Sequence, residues 1–443
     1  MRVPSNAQSS RHHQVLNLAV PAFLSLVAEP FFLMADSAVI GHVGTVELAG
    51  LGVASTVLTT VTGLFVFLAY ATTATSARRM GAGDREGAAQ AGVDGVWLSV
   101  LLGVISALLL VFGAPTVVSW FGTAASTAQP AVTYLRIAGC GVPAMLVTMA
   151  VTGVLRGFQD TRTPLVVTVI AFSVNLILNL WFVIGLGWGI AGSAWGTLIC
   201  QFGMALALVI VFVVRTMGTG VSLKFQAVGV LASMRDGVPL LIRTLALRAS
   251  LLLTTWVAAG LGVVALASYQ VSMTVWTFLT MALDALGIAG QALTGAALGA
   301  GDKSQARELT RLMVRWGLWV GVGLGVLLLA VHRVLPMAFS PDPAVRSALA
   351  AGLIVIALTQ PWSGVVFVLD GVLIGAGDGR WLAGAQVVML VAYLPMVLAV
   401  RMASPSGASA MVWMWVAFTG FMVVRGAILA YRERGDAWMR VGV

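Results

Sequence analysis

The stretch Gly153–Arg162 (Gly-Val-Leu-Arg-Gly-Phe-Gln-Asp-Thr-Arg) recurs as Gly371–Arg380 (Gly-Val-Leu-Ile-Gly-Ala-Gly-Asp-Gly-Arg), 218 residues later (371 − 153). Two more pairs of segments share this offset: Gly81–Asp84 with Gly299–Asp302, and Val20–Pro21 with Val238–Pro239. A single match between small residues carries little weight, but several matches at one offset without an insertion indicate an internal duplication. The sequence therefore predicts two structurally similar halves.

The composition is that of a polytopic membrane protein. Of the 443 residues, 59% are hydrophobic and only 9% are charged, and the mean hydropathy is +0.99. Apolar blocks recur along the whole chain, and each is long enough to cross about 30 Å of hydrocarbon as a helix. Reading these blocks against glycine, proline and charged residues predicts an all-α membrane protein with twelve transmembrane helices, six in each half.

An even number of crossings in each half fixes how the halves are oriented. The second copy enters the membrane in the same direction as the first, so we predict parallel repeats related by a pseudo-twofold axis along the membrane normal. The predicted domains are an N-terminal six-helix lobe over residues 1–215, an inter-lobe linker over 216–232, and a C-terminal lobe with a tail over 233–443. Two such lobes can open a central cavity to alternate sides of the membrane.

The formal net charge of +9 does not indicate nucleic-acid binding, because the basic residues are scattered through short loops instead of clustering on one face. Their distribution follows the positive-inside rule and predicts that both termini are cytoplasmic. We expect a multi-pass protein of the inner (plasma) membrane, in contact with membrane lipid. We also expect it to act as a monomer.

Motifs typical of enzymes, metal sites and cofactor sites are missing from the sequence. The four histidines form no His-Glu-x-x-His pattern, and no Asp-Asp-x-x-Asp pattern occurs, so the sequence predicts no membrane-embedded enzyme, no metal and no cofactor. The two Gly-Ala-Gly-Asp loops lack the lysine of a phosphate-binding loop. We interpret them as tight turns in which the aspartate begins a helix.

An acid stands inside the first apolar segment, at Asp36. A carboxylate at the centre of a membrane helix costs about 2.5–3.5 kcal/mol on insertion scales, so such a residue is a functional hypothesis by default. Its counterpart in the second half is Thr254 (36 + 218), so the acid belongs to the first half alone. Asn175 and Asn179 are four residues apart and share one helix face, where they either converge on Asp36 or join helices by hydrogen bonds.

Three segments together resemble one transporter family. They are Asp36–His42 (Asp-Ser-Ala-Val-Ile-Gly-His), Gly81–Asp84, and Arg156–Pro164 (Arg-Gly-Phe-Gln-Asp-Thr-Arg-Thr-Pro). With the duplication, they are similar over the whole chain to the multidrug and toxic compound extrusion (MATE) transporters, particularly the DinF-like subfamily. The resemblance implies export of varied, often cationic amphipathic compounds, driven by a proton or sodium gradient.

The resemblance also implies roles for individual residues. Asp36 matches the carboxylate at the centre of the proton-linked site, and Pro21 matches the proline about which the first helix bends. Three further polar positions of the family are matched, by Tyr134, Asn175 and Thr197. Asn179 stands where well-known members carry a second acid. We therefore predict a single-carboxylate site in which Asp36 carries the coupling and the neighbouring polar residues adjust its hydrogen bonds.

Secondary candidates lie on other helices. Glu29 is seven residues before Asp36, about two helical turns; we expect it to pair with Arg243 or Arg248 or to face water, and the alternative is a direct part in proton transfer.

Two acids of the second half, Asp284 and Asp370, could form a cation site, as C-terminal acids do in sodium-coupled members of the family. For Asp370 a structural role beside the Gly375–Arg380 turn is equally open. We expect Asp284 to line the cavity.

The predicted function is a proton-coupled antiporter that exports cationic or amphipathic small molecules by alternating access, with sodium coupling as the less favoured form. The alternative within transport is a flippase for lipid-linked precursors, which would favour a strongly basic cavity and often two extra helices. Arg243 and Arg248 alone make a weaker case for that activity.

Overall fold

The computed structural model describes residues 5–122 and 124–442, and the ends of the two predicted lobes, residues 1–4 and 443, lie outside the described residues. The described chain is helical and contains no strand. Its elements are α1 (Ser5–Gly41), α2 (Thr45–Leu64), α3 (Phe67–Gly81), α4 (Arg85–Ser119), α5 (Ala125–Gly139), α6 (Val142–Gly157), α7 (Arg162–Asn179), a π-helical turn (Leu180–Gly185), α8 (Gly189–Thr216), α9 (Ala227–Gly260), α10 (Val263–Gly299), α11 (Lys303–Val331), α12 (Leu335–Phe339), α13 (Pro343–Gly375), α14 (Gly379–Ala403) and α15 (Gly407–Arg434).

The helix boundaries repeat at the offset found in the sequence. The pair α2–α3 begins at Thr45 and ends at Gly81, and α10 begins and ends 218 residues later (263 − 45, 299 − 81). The pair α5–α6 relates to α13, and α8 relates to α15, in the same way (343 − 125, 375 − 157; 407 − 189, 434 − 216). The predicted duplication is therefore present in the fold as well as in the residues.

The first half is more broken than the second. Where α10 and α13 are continuous, the first half interrupts the helix between α2 and α3 and again between α5 and α6, where the axis bends by 48°. Eleven helical segments of the described chain are long and apolar enough to cross a membrane, and the bent pair α5–α6 makes a twelfth if it is one span. The predicted all-α, two-repeat membrane fold is confirmed.

The Gly-Ala-Gly-Asp loops begin helices, as predicted. Asp84 Oδ1 accepts the backbone N–H of Gly87 at 2.8 Å at the start of α4, and Asp302 Oδ1 accepts that of Gln305 at 2.8 Å at the start of α11. These bonds satisfy N–H groups that have no partner within the helix. The Gln305 N–H and the Ser304 hydroxyl stabilise the carboxylate and so lower the pKa of Asp302.

The contacts divide the described chain into two compact units. The first unit is Val20–Gly237, and the second combines residues 5–19 with Val238–Gly442. Two helices are therefore shared: α1 passes between units next to Pro21, and α9 passes between them next to Pro239.

This division differs from the predicted lobe boundaries. Residues 5–19 group with the second half, where Arg11 pairs with Glu308 and the Trp316 indole N–H donates to Nδ1 of His12 at 3.0 Å. The connection between α8 and α9 spans only residues 217–226, which is shorter than the predicted linker 216–232. These side-chain contacts are distant in sequence, so hydrophobic spacing did not reveal them.

The second unit is centred on α13, which packs against α10, α11 and α15. At the crossing with α10, Gly371 lies so close to Gly287 that an added Cβ would overlap the Gly287 backbone. Close helix crossings of this kind depend on small residues in membrane proteins.

We predict that Gly371→Ala lowers the free energy of unfolding by about 1–3 kcal/mol, because the new methyl group meets backbone that cannot yield. The matched control is Gly384→Ala on α14, where nothing lies within 4 Å of the added Cβ; there the change should be neutral or stabilising. Thermal unfolding of the purified proteins, followed by tryptophan fluorescence, distinguishes them. Equal midpoints for the two variants would contradict the packing argument.

Candidate functional site

Asp36 lies on α1 and is buried within the first unit, with only 2% of its surface exposed. Its Oδ1 accepts hydrogen bonds from Asn179 Nδ2 and from the Ser193 hydroxyl, both at 2.7 Å. Its Oδ2 accepts a longer bond of 3.4 Å from the Tyr134 hydroxyl. All three donors are neutral, and within the described residues no cationic side chain forms an ion pair with this carboxylate.

A second layer of hydrogen bonds joins these donors. Asn179 Nδ2 also donates to Asn175 Oδ1 at 2.9 Å, and Asn175 Nδ2 donates to Thr197 Oγ1 at 3.4 Å. The hydroxyls of Thr197 and Tyr134 are 3.5 Å apart. The structure thus brings together the five residues predicted for the primary site, and we call this group with Ser193 the Asp36 network.

Helical spacing explains how α7 and α8 build the network. Asn175 and Asn179 are one turn apart on α7, and Ser193 and Thr197 are one turn apart on α8, so each helix presents its two polar groups on one face. Gly196 allows the helices to approach, since an added Cβ there would collide with the Asn179 carboxamide. A π-helical turn follows Asn179 directly, an irregularity that is frequent at functional sites.

The two polar atoms of the Asn179 carboxamide differ in their hydrogen bonds. Its nitrogen makes two hydrogen bonds, whereas its oxygen Oδ1 is buried and has no hydrogen-bond partner within the described residues. A buried acceptor without a partner costs about 1–3 kcal/mol, so such a group calls for an explanation. Asn179 Oδ1 is therefore a hydrogen-bond acceptor near Asp36 that has no donor among the described residues.

An aromatic pair stands next to the network. The rings of Phe32 on α1 and Phe172 on α7 stack at a centroid distance of 4.6 Å with an interplanar angle of 11°. Phe32 lies one turn before Asp36, and Phe172 lies just under one turn before Asn175. The stack therefore lies about one helical turn from Asp36 along α1 and from Asn175 along α7.

Ser193 was absent from the sequence prediction although its hydroxyl makes one of the two shortest bonds to Asp36. A signal for it existed, because Ser193 is four residues before Thr197 and shares its helix face. The resemblance to a family drew attention to Thr197 alone, so the neighbouring hydroxyl was missed.

The second unit buries a different charged group. Asp370 on α13 is bound by two arginines: Arg243 on α9 donates its Nε at 3.2 Å, and the Arg425 guanidinium on α15 is 3.1 Å away. All three side chains are buried, and the Arg425 guanidinium also lies 5.6 Å from the centre of the Phe367 ring. Because two guanidinium groups already neutralise the carboxylate, this arrangement does not suit a cation site at Asp370. Arg425, missed by the prediction, was detectable as a charge within an apolar segment.

The remaining candidates are dispersed. Arg243 binds Asp370. Glu29 and Arg248 are both exposed, and the expectation that Glu29 pairs with Arg243 or Arg248 or faces water stays a prediction. Asp284 is half-buried on α10, and Pro21 is buried on α1. In the part of the chain that the structure describes, no group of three or more His, Cys, Asp or Glu side chains could hold a metal ion.

The family of the chain is identified by a match that covers both repeats. A family model described as MatE matches residues 21–181 and 239–399, which together exceed half of the chain. The second matched segment begins and ends 218 residues after the first (239 − 21, 399 − 181), as the helices do. The chain belongs to the MatE family. It is a MATE transporter, not an enzyme, and the family resemblance inferred from the sequence is confirmed.

Sequence relatives and a solved structure agree with this assignment. The MATE chain is 27% identical to Protein DETOXIFICATION 43 of Arabidopsis thaliana, over 93% of its length and 88% of the relative. It is 28% identical to DNA damage-inducible protein F of Escherichia coli, over 94% of its length and 90% of the relative, as a DinF-like resemblance implies. The structure titled "Crystal structure of MATE in the bent conformation" has the same fold, with a TM-score of 0.87 at 18% identity and 99% coverage of both chains.

We predict that Asp370→Asn destabilises the protein by about 3–5 kcal/mol, because it leaves two buried guanidinium groups without their shared counter-charge. Asp342→Asn is a matched control on the same helix: Asp342 is exposed and caps α13, and asparagine caps equally well. Thermal unfolding of both variants tests this, and a midpoint for Asp370→Asn equal to that of the control would contradict it.

Proposed function

We propose that this MATE transporter is a proton-coupled antiporter that exports cationic or amphipathic small molecules by alternating access, with Asp36 as the proton carrier. The observation that supports the proposal is the set of three neutral donors that hold the buried Asp36 carboxylate. Without a permanent counter-cation, Asp36 can be neutralised by a proton or by a cationic group of the substrate. Binding of one therefore weakens binding of the other.

The Asn179 carboxamide supports a specific response to protonation. An ionised carboxylate only accepts hydrogen bonds, whereas a protonated carboxyl group must also donate one. The Asn179 nitrogen cannot accept that bond, but the unpartnered Asn179 Oδ1 can accept it after rotation of the amide. We infer that protonation of Asp36 turns the amide, which removes its bond to Asn175 and so passes the change along α7.

The donor set favours a proton over sodium as the coupling ion. A sodium ion needs several oxygen ligands, but Oδ1 of Asp36 already accepts two short bonds and Oδ2 accepts a third. One of those neighbours is an amide nitrogen, which repels a cation. A proton adds to the carboxylate with the rotation of one amide, whereas sodium would require the donors to leave.

The proposed substrate class follows from charge and surroundings. An ionised Asp36 attracts a cationic group, and the stacked Phe32 and Phe172 rings offer an apolar surface beside it. Compounds that combine a positive charge with an apolar body satisfy both features. The flippase alternative loses support, because Arg243 is bound to Asp370 and is not available to a lipid phosphate.

The proposed conformational change uses Pro21. Proline lacks the N–H that would bond to the preceding turn, and α1 passes from one contact unit to the other beside this residue. A solved relative is titled as a bent conformation of MATE, which supports a bend of α1 here as well. We place the multi-pass protein in the inner (plasma) membrane as a monomer, with both termini cytoplasmic, in agreement with the positive-inside rule.

We predict that Asp36→Asn abolishes transport driven by an imposed proton gradient, since asparagine cannot take up a proton, while the protein still inserts and folds. Efflux of a fluorescent cation from proteoliposomes, under separately imposed proton and sodium gradients, measures this. Glu86→Gln, an exposed acid at the start of α4, should transport like the wild type. Undiminished proton-driven efflux by Asp36→Asn would refute the proposal, and wild-type efflux under a sodium gradient alone would replace the proton with sodium.

We further predict that Asn179→Asp moves the pH midpoint of transport upward, because a second carboxylate beside Asp36 favours retention of a shared proton. The pH profile of efflux and the number of protons moved per substrate measure the change. Asn175→Asp, one turn away and not bonded to Asp36, serves as a positional control with a smaller shift. An unchanged profile for Asn179→Asp would show that Asn179 only joins helices.

A further inference from the structure

A cavity separate from the Asp36 network lies within the first unit. It has a volume of about 70 Å³ and is lined by residues of α3, α4 and residues 229–236 of α9. Its polar lining consists of Thr72, Thr75, Arg79, Asp94, Ser233 and Asp236. With about 30 Å³ for each water molecule in the liquid, the space suits a small ion with one water.

Asp94 is the buried acid of this cavity, and it was not among the residues predicted from sequence. It is 7% exposed and lies within the membrane-spanning helix α4. Its Oδ1 accepts a hydrogen bond from Gln90 Nε2 at 3.2 Å, whereas Oδ2 has no hydrogen bond within the described residues. The α9 backbone at Gly229 packs directly against the carboxylate. An acid in a membrane-spanning helix whose second oxygen makes no hydrogen bond can bind a ligand in the cavity.

The charges around the cavity do not balance. Asp94, which is buried, and Asp236, which is exposed, contribute two negative charges, and Arg79, which attracts the Asp94 carboxylate, contributes one positive charge. The Arg79 guanidinium donates to the Gly87 carbonyl at 2.9 Å, and among the described residues it forms no ion pair with either acid. The lining therefore carries a net charge of −1, which a single monovalent cation would neutralise.

The internal duplication provides an independent argument. The counterpart of Asp94 is Leu312 (94 + 218), the counterpart of Asp236 is Leu18 (236 − 218), and that of Thr75 is Leu293 (75 + 218). Three polar groups from three helices thus line one cavity in one copy and are all leucine in the other. Packing alone would not require the three positions to differ together, whereas a shared ligand would.

We propose that this cavity binds one small monovalent cation, an alkali ion or a primary ammonium group, between the carboxylates of Asp94 and Asp236. Hard cations take oxygen ligands such as carboxylates, and Thr75 and Ser233 add two hydroxyl oxygens to the lining. The cation offsets the charge of Asp94 and joins α3 and α4 to the first turns of α9. This site does not depend on the proposed function of Asp36.

Cation-dependent stability tests the site. Thermal unfolding of the purified full chain is followed in sodium, potassium, lithium or methylammonium chloride and compared with N-methylglucamine chloride at equal ionic strength. The series is run in the Asp36→Asn variant, which removes the proposed proton carrier from the experiment. We expect a saturable rise of about 2 °C or more with at least one of the four cations, and the four salts distinguish the alkali ions from the ammonium group.

The decisive comparison is between Asp36→Asn and the double variant Asp36→Asn/Asp94→Asn. The added change should abolish the rise and leave the midpoint in N-methylglucamine equal or higher, because it removes an uncompensated buried charge. If the double variant does not fold, Thr75→Leu takes its place, since it fills the cavity with the residue of the other half. No rise in Asp36→Asn, or an equal rise in the double or Thr75→Leu variant, would overturn the proposal.

Discussion

Burying a carboxylate in a membrane-spanning helix is costly, and the protein meets this cost in three different ways. Asp370 is neutralised permanently by Arg243 and Arg425. Asp36 is held by neutral donors only, which leaves its charge open to a proton or a cation. Asp94 has one bonded oxygen and one that has no hydrogen bond. Among the described residues, neither Asp36 nor Asp94 forms an ion pair, which is why we propose exchangeable ligands at these two acids and not at Asp370.

Comparison of the two repeats distinguishes the helical framework, which is repeated, from the buried ionisable residues, which are not. The boundaries of three matched helical segments coincide at one offset, namely α2–α3 with α10, α5–α6 with α13, and α8 with α15. Similar packing requires similar lengths and turns. The ionisable groups do not repeat: Asp36 corresponds to Thr254 and Asp370 corresponds to Thr152 (370 − 218). The breaks of α2–α3 and α5–α6 and the π-helical turn also occur only in the first half. The half that contains the Asp36 network is thus the less regular one, as expected where backbone is adapted to a site instead of to packing alone.

Coupling between chemistry and movement needs a group whose hydrogen bonds change with its ligand and a helix that can bend. We propose that α1 supplies both, since Asp36 lies about four turns after Pro21 on this helix. The Asn179 carboxamide links the acid to α7 and has an unused acceptor. A change of protonation at Asp36 can therefore alter bonds on α1 and α7 together, which is what alternating access requires of a proton site.

The sequence by itself determined the helical membrane fold, the duplication and the helix starts at Asp84 and Asp302, because hydropathy and spacing are visible in the residues. It also named five polar residues that the structure brings together, through the family resemblance: Asp36, Tyr134, Asn175, Asn179 and Thr197. Only the tertiary structure decided which side chains form hydrogen bonds and ion pairs with each other. Ser193 is 157 residues from Asp36, and Arg243 is 127 residues from its partner Asp370. It also decided that residues 5–19 group with the second half. Pairings of this kind depend on which helix faces meet, and spacing along one helix cannot specify that.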